Sequence, residues 1–237
     1  NKSLGFILIP IYARLIPIEQ YGVLAILELI ILLLLALLNF GITSGHERFF
    51  FLEKDKKEYG IFLFNNVIGL FLFSILSLSI ISPFSHCLSN LFWGNSDYSY
   101  FIVLVLVITF VEINNLIPFQ ILQYEDKPLN YIITNLVRLL LSVLATVYFV
   151  ISRRFGIEGI LYGRLAGSGL TMIFQIFSVV IPRMKVRFDF SKVLLTMRYG
   201  LPVTVSLIGY LIFTSSDRYM INWLLDERAT GMYGFGF

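Results

Sequence analysis

Residues 61–81 read IFLFNNVIGLFLFSILSLSII, without one charged side chain. At 1.5 Å per residue a helix of this length covers about 30 Å, the thickness of a bilayer's hydrocarbon core. Three further blocks share its character. Residues 23–40 hold only Glu28 and Asn39 as strongly polar members, 100–119 carry the single charge Glu112, and 129–152 the single charge Arg138. Strands of a membrane barrel would alternate apolar and polar positions over about ten residues. These blocks do not alternate, so the sequence predicts an all-α, polytopic membrane protein. Composition agrees: 57% of the 237 residues are hydrophobic and 14% charged. A water-facing surface needs a charged share closer to a quarter.

Working outward, the apolar pattern predicts seven spans, at 4–15, 23–44, 60–82, 100–123, 129–151, 157–181 and 200–225. The first is short, and 231–237 open another apolar segment, so both ends read as cut. The loops after spans two, four and six hold Arg48, Lys54, Lys56, Lys57, Lys127, Arg183, Lys185, Arg187, Lys192 and Arg198. The opposite loops hold Arg153, Arg154 and Arg228, with Arg14 near an edge. Ten basic residues against four place the richer side, and with it the N-terminus, in the cytoplasm. Residues 83–99, with Trp93, then form an outer loop whose aromatics suit the headgroup layer. No segment has the form of a cleaved signal peptide.

The sixth span opens with Gly156, Gly159, Gly163 and Gly167, spaced to share one helical face as a packing seam. Pro202 favours a bend near the start of span seven. Cys87 stands alone beside His86, which makes neither a disulfide nor a zinc set. No phosphate-binding loop, nucleophile triad or metal spacing is present. The reading is therefore not an enzyme, with no cofactor and no metal, and any driving force comes from a gradient or the membrane potential.

Charges within spans carry the functional argument, because burying one in hydrocarbon is costly unless it faces a partner or a cavity. The candidates are Arg14, Glu28, Arg48, Glu112, Arg138, Arg164, Asp217 and Arg218. Glu112 and Arg138 flank the short loop 125–128 at depths that differ by about 3 Å, so they are expected to pair near the bilayer middle. Arg14 and Glu28 flank the outer loop around Glu19 and form a second expected pair. Arg14 and Arg48 can equally snorkel to headgroups. Arg164 lies on the glycine-rich helix. Asp217 and Arg218 are adjacent and point about 100° apart, so at least one is assigned to a cavity or helix–helix role. Asn65, Asn66, Asn114, Asn115, Gln120 and Gln123 are read mostly as helix–helix hydrogen bonds, with cavity lining as the alternative.

Four ordered stretches add a resemblance: 9–22 (IPIYARLIPIEQYG), 38–50 (LNFGITSGHERFF), 155–163 (FGIEGILYG) and 198–202 (RYGLP), the last followed by SDRY at 216–219 and GMY at 231–233. Together they resemble the Wzx-type O-antigen and polysaccharide-biosynthesis flippases of the MOP (MATE-like) superfamily. That resemblance implies a MATE-like helical bundle in two pseudo-symmetric lobes. Residues 1–182 would form the first lobe, 183–199 a cytoplasmic inter-lobe loop, and 200–237 the start of the second. It implies a polyprenyl-diphosphate-linked oligosaccharide as cargo in the bacterial cytoplasmic membrane. A polysaccharide polymerase and chain-length machinery would be its partners, and nucleic acid would not. Arg14, Arg48, Asp217 and Arg218 match recurrent charged positions of the family. Glu112, Arg138 and Arg164 rest on the span argument alone. Arg14, Arg48, Arg138, Arg164 and Arg218 are thus the candidate cargo-binding residues, with Glu28, Glu112 and Asp217 as ion-coupling or structural acids. Two readings compete: a cation-coupled multidrug exporter, which needs a free buried acid, and a non-transporting scaffold, in which every charge is a structural pair.

Overall fold

The computed structural model describes residues 17–53, 58–125, 128–225 and 227–236. Nine α-helices occur among the described residues, and no strand. They are α1 (Ile18–Leu37), α2 (Ile42–Glu53), α3 (Tyr59–Ile81), α4 (Ser85–Trp93), α5 (Ser99–Tyr124), α6 (Pro128–Val147), α7 (Ile157–Gln175), α8 (Phe190–Leu224) and α9 (Glu227–Gly236). Among the described residues six helical stretches are long and apolar enough to cross a membrane, which makes this an all-α, multi-pass membrane protein. The expected first span, with Arg14, lies outside the described residues. The connections α2–α3, α5–α6 and α7–α8 mark one end of the bundle, here the basic end. Residue 94 and its aromatic neighbours mark the other, the aromatic end.

Three span boundaries differ from the sequence reading, each for a local reason. The second span is broken. Phe40 (φ 49°) and Gly41 (φ 72°) adopt left-handed backbone, and the Asn39 side chain accepts from Thr43 N at 3.3 Å to start α2 afresh. Gly41 also has no room for a side chain, since a Cβ there would lie 2.2 Å from the carbonyl carbon of Gly200 on α8. The stretch 83–99, expected as an outer loop, is largely helix. Pro83 sits in the first turn of a short 3₁₀ segment, Ser82–Phe84, where its missing N–H costs nothing, and α4 follows until Gly94 (φ 72°) caps it. The seventh span starts at Phe190 rather than 200. Asp189 caps α8 by accepting from Ser191 N at 3.1 Å.

α1 and α5 form the buried centre. Ile26, Leu27 and Ile31 of α1 meet a core that includes Ile102, Ile108 and Ile113 of α5, all at 0% exposure. α7 packs on α6 through a glycine seam. A Cβ at Gly159, Gly163 or Gly167 would strike Val150, Thr146 or Ser142 respectively, within 3 Å. These contacts step four residues along each chain, as two closely crossed helices require. Gly156 is not part of the seam. It precedes α7 with φ 56°, beside the Gln20 side chain.

Candidate functional site

The charged residues of α5, α6 and α7 lie close together in space, though not in the expected pairing. Arg164 on α7, not Arg138 on α6, holds Glu112. Its Nε donates to Oε1 at 2.7 Å and its Nη2 to Oε2 at 2.8 Å, while Ser168 Oγ approaches Oε1 at 3.4 Å. The glycine seam explains this. With no side chains at Gly163 and Gly167, α7 settles against α6, and the intervening Arg164 turns to α5 within reach of the carboxylate. The fork geometry suits a guanidinium well. Asn115, one turn along α5, reinforces the contact by donating to Ser168 O at 3.1 Å.

Arg138 is thereby released from the expected pair. Its guanidinium lies 5.5 Å from the ring centroid of Phe119, seven positions nearer the basic end than Glu112. It forms no ion pair among the described residues, although Glu112 and Arg164 lie within electrostatic reach. It lines a cavity of about 260 Å³. The other walls are Leu116, Phe119, Gln120 and Gln123 from α5, Tyr131 and Asn135 from α6, and Thr43 from α2. The spacings 116, 120, 123 and 131, 135, 138 each trace one helical face. Chemically the cavity offers one fixed cation, three amides and two hydroxyls beside apolar carbon. Such a lining suits an anion that carries hydroxyl groups.

A buried polar contact supports the cavity wall. Gln120 Nε2 donates to Thr43 O at 3.2 Å, and its Oε1 meets His46 Nδ1 at 3.1 Å. With the amide nitrogen committed to a carbonyl, the histidine must supply the hydrogen, so Nδ1 carries it. His46 is fully buried and stacks on Phe62, with centroids 5.6 Å apart. The pattern of charges within the spans does not point to Thr43, Tyr131, Asn135 or His46. The signal available for two of them was their helical spacing with Arg138.

The remaining candidates disperse. Glu28 is exposed on α1, as is Leu32 one turn on, and lies within electrostatic reach of Arg164. Its expected partner Arg14 is outside the described residues, as is the side chain of Arg218. Arg48 is exposed at the basic end and lies over the Tyr199 ring, 5.8 Å from its centroid. Asp217 accepts a hydrogen bond from Tyr233 Oη. This contact joins the SDRY and GMY stretches across the turn between α8 and α9. Asn65 and Asn66 bond to the chain around α8, whereas Asn114 bonds to Ser74. Cys87 is exposed, and no group of three metal-ligating side chains occurs among the described residues.

The model of the family described as polysaccharide biosynthesis protein matches residues 1–237. The chain belongs to that family. A search of curated proteins and a search of solved structures each returned no match. Membership gives the protein a role in polysaccharide synthesis or export and agrees with its multi-pass helical architecture.

Proposed function

We propose that the protein moves a polyprenyl-diphosphate-linked oligosaccharide from the inner to the outer leaflet of the bacterial cytoplasmic membrane by alternating access. The basic end and the N-terminus then face the cytoplasm. One observation carries this reading: the Arg138 cation lines a polar cavity at membrane depth while the neighbouring acid is held by Arg164. A cation without an ion-paired carboxylate in that setting is costly, and an anionic ligand offsets the cost. A diphosphate supplies the anion, and sugar hydroxyls suit Gln120, Gln123, Asn135 and Tyr131. The protein breaks no covalent bond in this scheme. Its work is to desolvate, hold and release. The exporter reading draws less support, since Glu112 is ion-paired to Arg164 and Asp217 accepts from Tyr233.

The test is complementation of cells that lack their own flippase for a surface glycan. Wild type is expected to restore the glycan, and Arg138→Ala to abolish it at equal membrane level. Arg138→Lys should restore only part, because an ammonium keeps the charge without the planar fork. Full restoration by Arg138→Ala would sink the assigned role. Failure of wild type in hosts with several different sugars would instead move the exporter or scaffold reading ahead.

A further inference from the structure

The segment between α7 and α8 is held against the bundle at almost every step. Arg183 donates to both carboxylate oxygens of Glu125, at the end of α5, at 2.6 Å each. Lys185 N donates to Gly60 O at 2.9 Å. The Asn65 amide brackets the next stretch, donating to Arg187 O at 2.7 Å and accepting from Asp189 N at 2.7 Å. Gly60 permits this closeness, since a Cβ there would lie 2.7 Å from Arg183 O. Residues 183–189 are therefore a fixed strap rather than a loose loop.

What the strap leaves outside is unusual for a segment facing water alone. Val186 is 77% exposed and Phe188 66%, and Phe190 and Leu194 continue the apolar surface onto α8. These alternate in sequence with Lys185 and Arg187, and Arg198 is exposed two turns further on. Residues 183–198 hold five basic side chains and one acid, Asp189. Two of the five, Arg183 and Lys192, are held by Glu125 and Glu58. The strap also joins two membrane-crossing helices directly, which fixes its level at the membrane–water boundary.

We propose that this strap is a docking surface for anionic phospholipid, with Val186, Phe188 and Phe190 set among the upper acyl carbons and Arg187 and Arg198 on headgroup phosphates. Apolar side chains beside cations at the boundary depth are the combination that interfacial segments use. Because the strap is already ordered, docking costs little further conformational entropy. Its backbone bonds to α3, its salt bridge to α5 and its continuity with α8 mean that lipid held there bears on all three helices at once. The inference does not depend on what the protein transports.

The test uses the protein with Trp93 and Trp223 changed to Phe and Phe188→Trp as reporter, reconstituted in mixed phosphatidylcholine–phosphatidylglycerol vesicles. One lipid at a time carries brominated acyl chains, which quench nearby indole emission. Strong quenching is expected from brominated phosphatidylglycerol and weaker quenching from brominated phosphatidylcholine. The preference should fall about fivefold for each of Arg187→Gln and Arg198→Gln, and similarly with added salt. If Phe188→Trp prevents insertion, Val186→Trp serves as reporter. No quenching by either lipid would overturn the proposal and indicate that protein covers the strap. Equal quenching by both lipids would overturn its anionic preference.

Discussion

α5 and α8 pass the same test of length and apolarity, yet they occupy opposite situations. α5 is buried along its length, with 61% of its span inside the bundle, against 17% for α8. α8 lies beside α1, and its specific anchors are near its two ends. At the basic end Gly200 meets Gly41 and Thr196 Oγ1 reaches Asn66 Oδ1 at 2.8 Å. At the aromatic end Asn222 donates to Phe92 O at 2.9 Å and Tyr219 packs edge-on against Phe92. Between them Val205, Tyr210 and Phe213 are exposed. Hydropathy thus reports the solvent a helix can live in, while small residues and paired polar groups decide which helices become neighbours. In lipid the apolar surface of a helix has no preference between a neighbour and an acyl chain.

The contrast can be broken most forcefully at the glycine contact. A Cβ on Gly200 would fall 1.8 Å from Gly41 O, and both partners there are backbone. Gly200→Val is expected to detach the basic end of α8 from α2. Cross-linking of a cysteine pair placed at Thr196 and Asn66 should fail, whereas the same pair in a Gly209→Val background should still form, since nothing lies near Gly209. On the α5 side, Arg164→Ala leaves Glu112 without its fork and should cost on the order of 3 kcal/mol, measured by unfolding in detergent. Adding Glu112→Gln should recover much of that loss. A double variant as unstable as Arg164→Ala alone would mean that the arginine acts through packing rather than charge.

The smallest effect belongs to the start of α8. The hydrogen bonds from Ser191, with Lys192 and Arg187 nearby, hold the Asp189 carboxyl below the usual carboxylate range. Its folded-state value is depressed, so its contribution is complete above the ordinary value near 3.8 and is lost as pH falls through the lowered one. Asp189→Asn should therefore flatten a slight acid-side slope in α8 stability and change little at neutral pH. Hydrogen exchange at Ser191 and Lys192 reads this directly.

Much of the architecture was legible because bilayer thickness converts directly into run length. The boundaries that shifted are places where a local signal competed with hydropathy. Asn39 and Gly41 interrupt an apolar run, while Pro83, a loop signal in the sequence, starts a helical turn. Glu112, Arg138 and Arg164 were legible as charges within spans, but their pairing was not. Counting rise along α5 and α6 matched the depths of Glu112 and Arg138, yet depth says nothing about rotation around the helix axis. The seam at Gly159, Gly163 and Gly167 was visible as spacing. Its consequence, that α7 approaches closely enough for Arg164 to take Glu112, depends on which helix fills the seam, and spacing does not name it. The clasp of Asn65 on the strap was hidden for a different reason, since it joins residues more than a hundred positions apart.

The Gly41–Gly200 contact gives α8 a fulcrum. About 15 Å of helix lies between Phe190 and that point, and about 36 Å between it and Leu224. α8 runs as one continuous helix through Pro202, and a rod resting on an off-centre support magnifies motion toward its long arm. Each ångström of sideways movement where α8 leaves the strap becomes about 2.4 Å at the far tip, where Asn222 and Tyr219 hold Phe92. Geometry alone makes the tip the more sensitive reporter of any tilt, so a distance probe placed there reads small displacements at the strap with built-in gain.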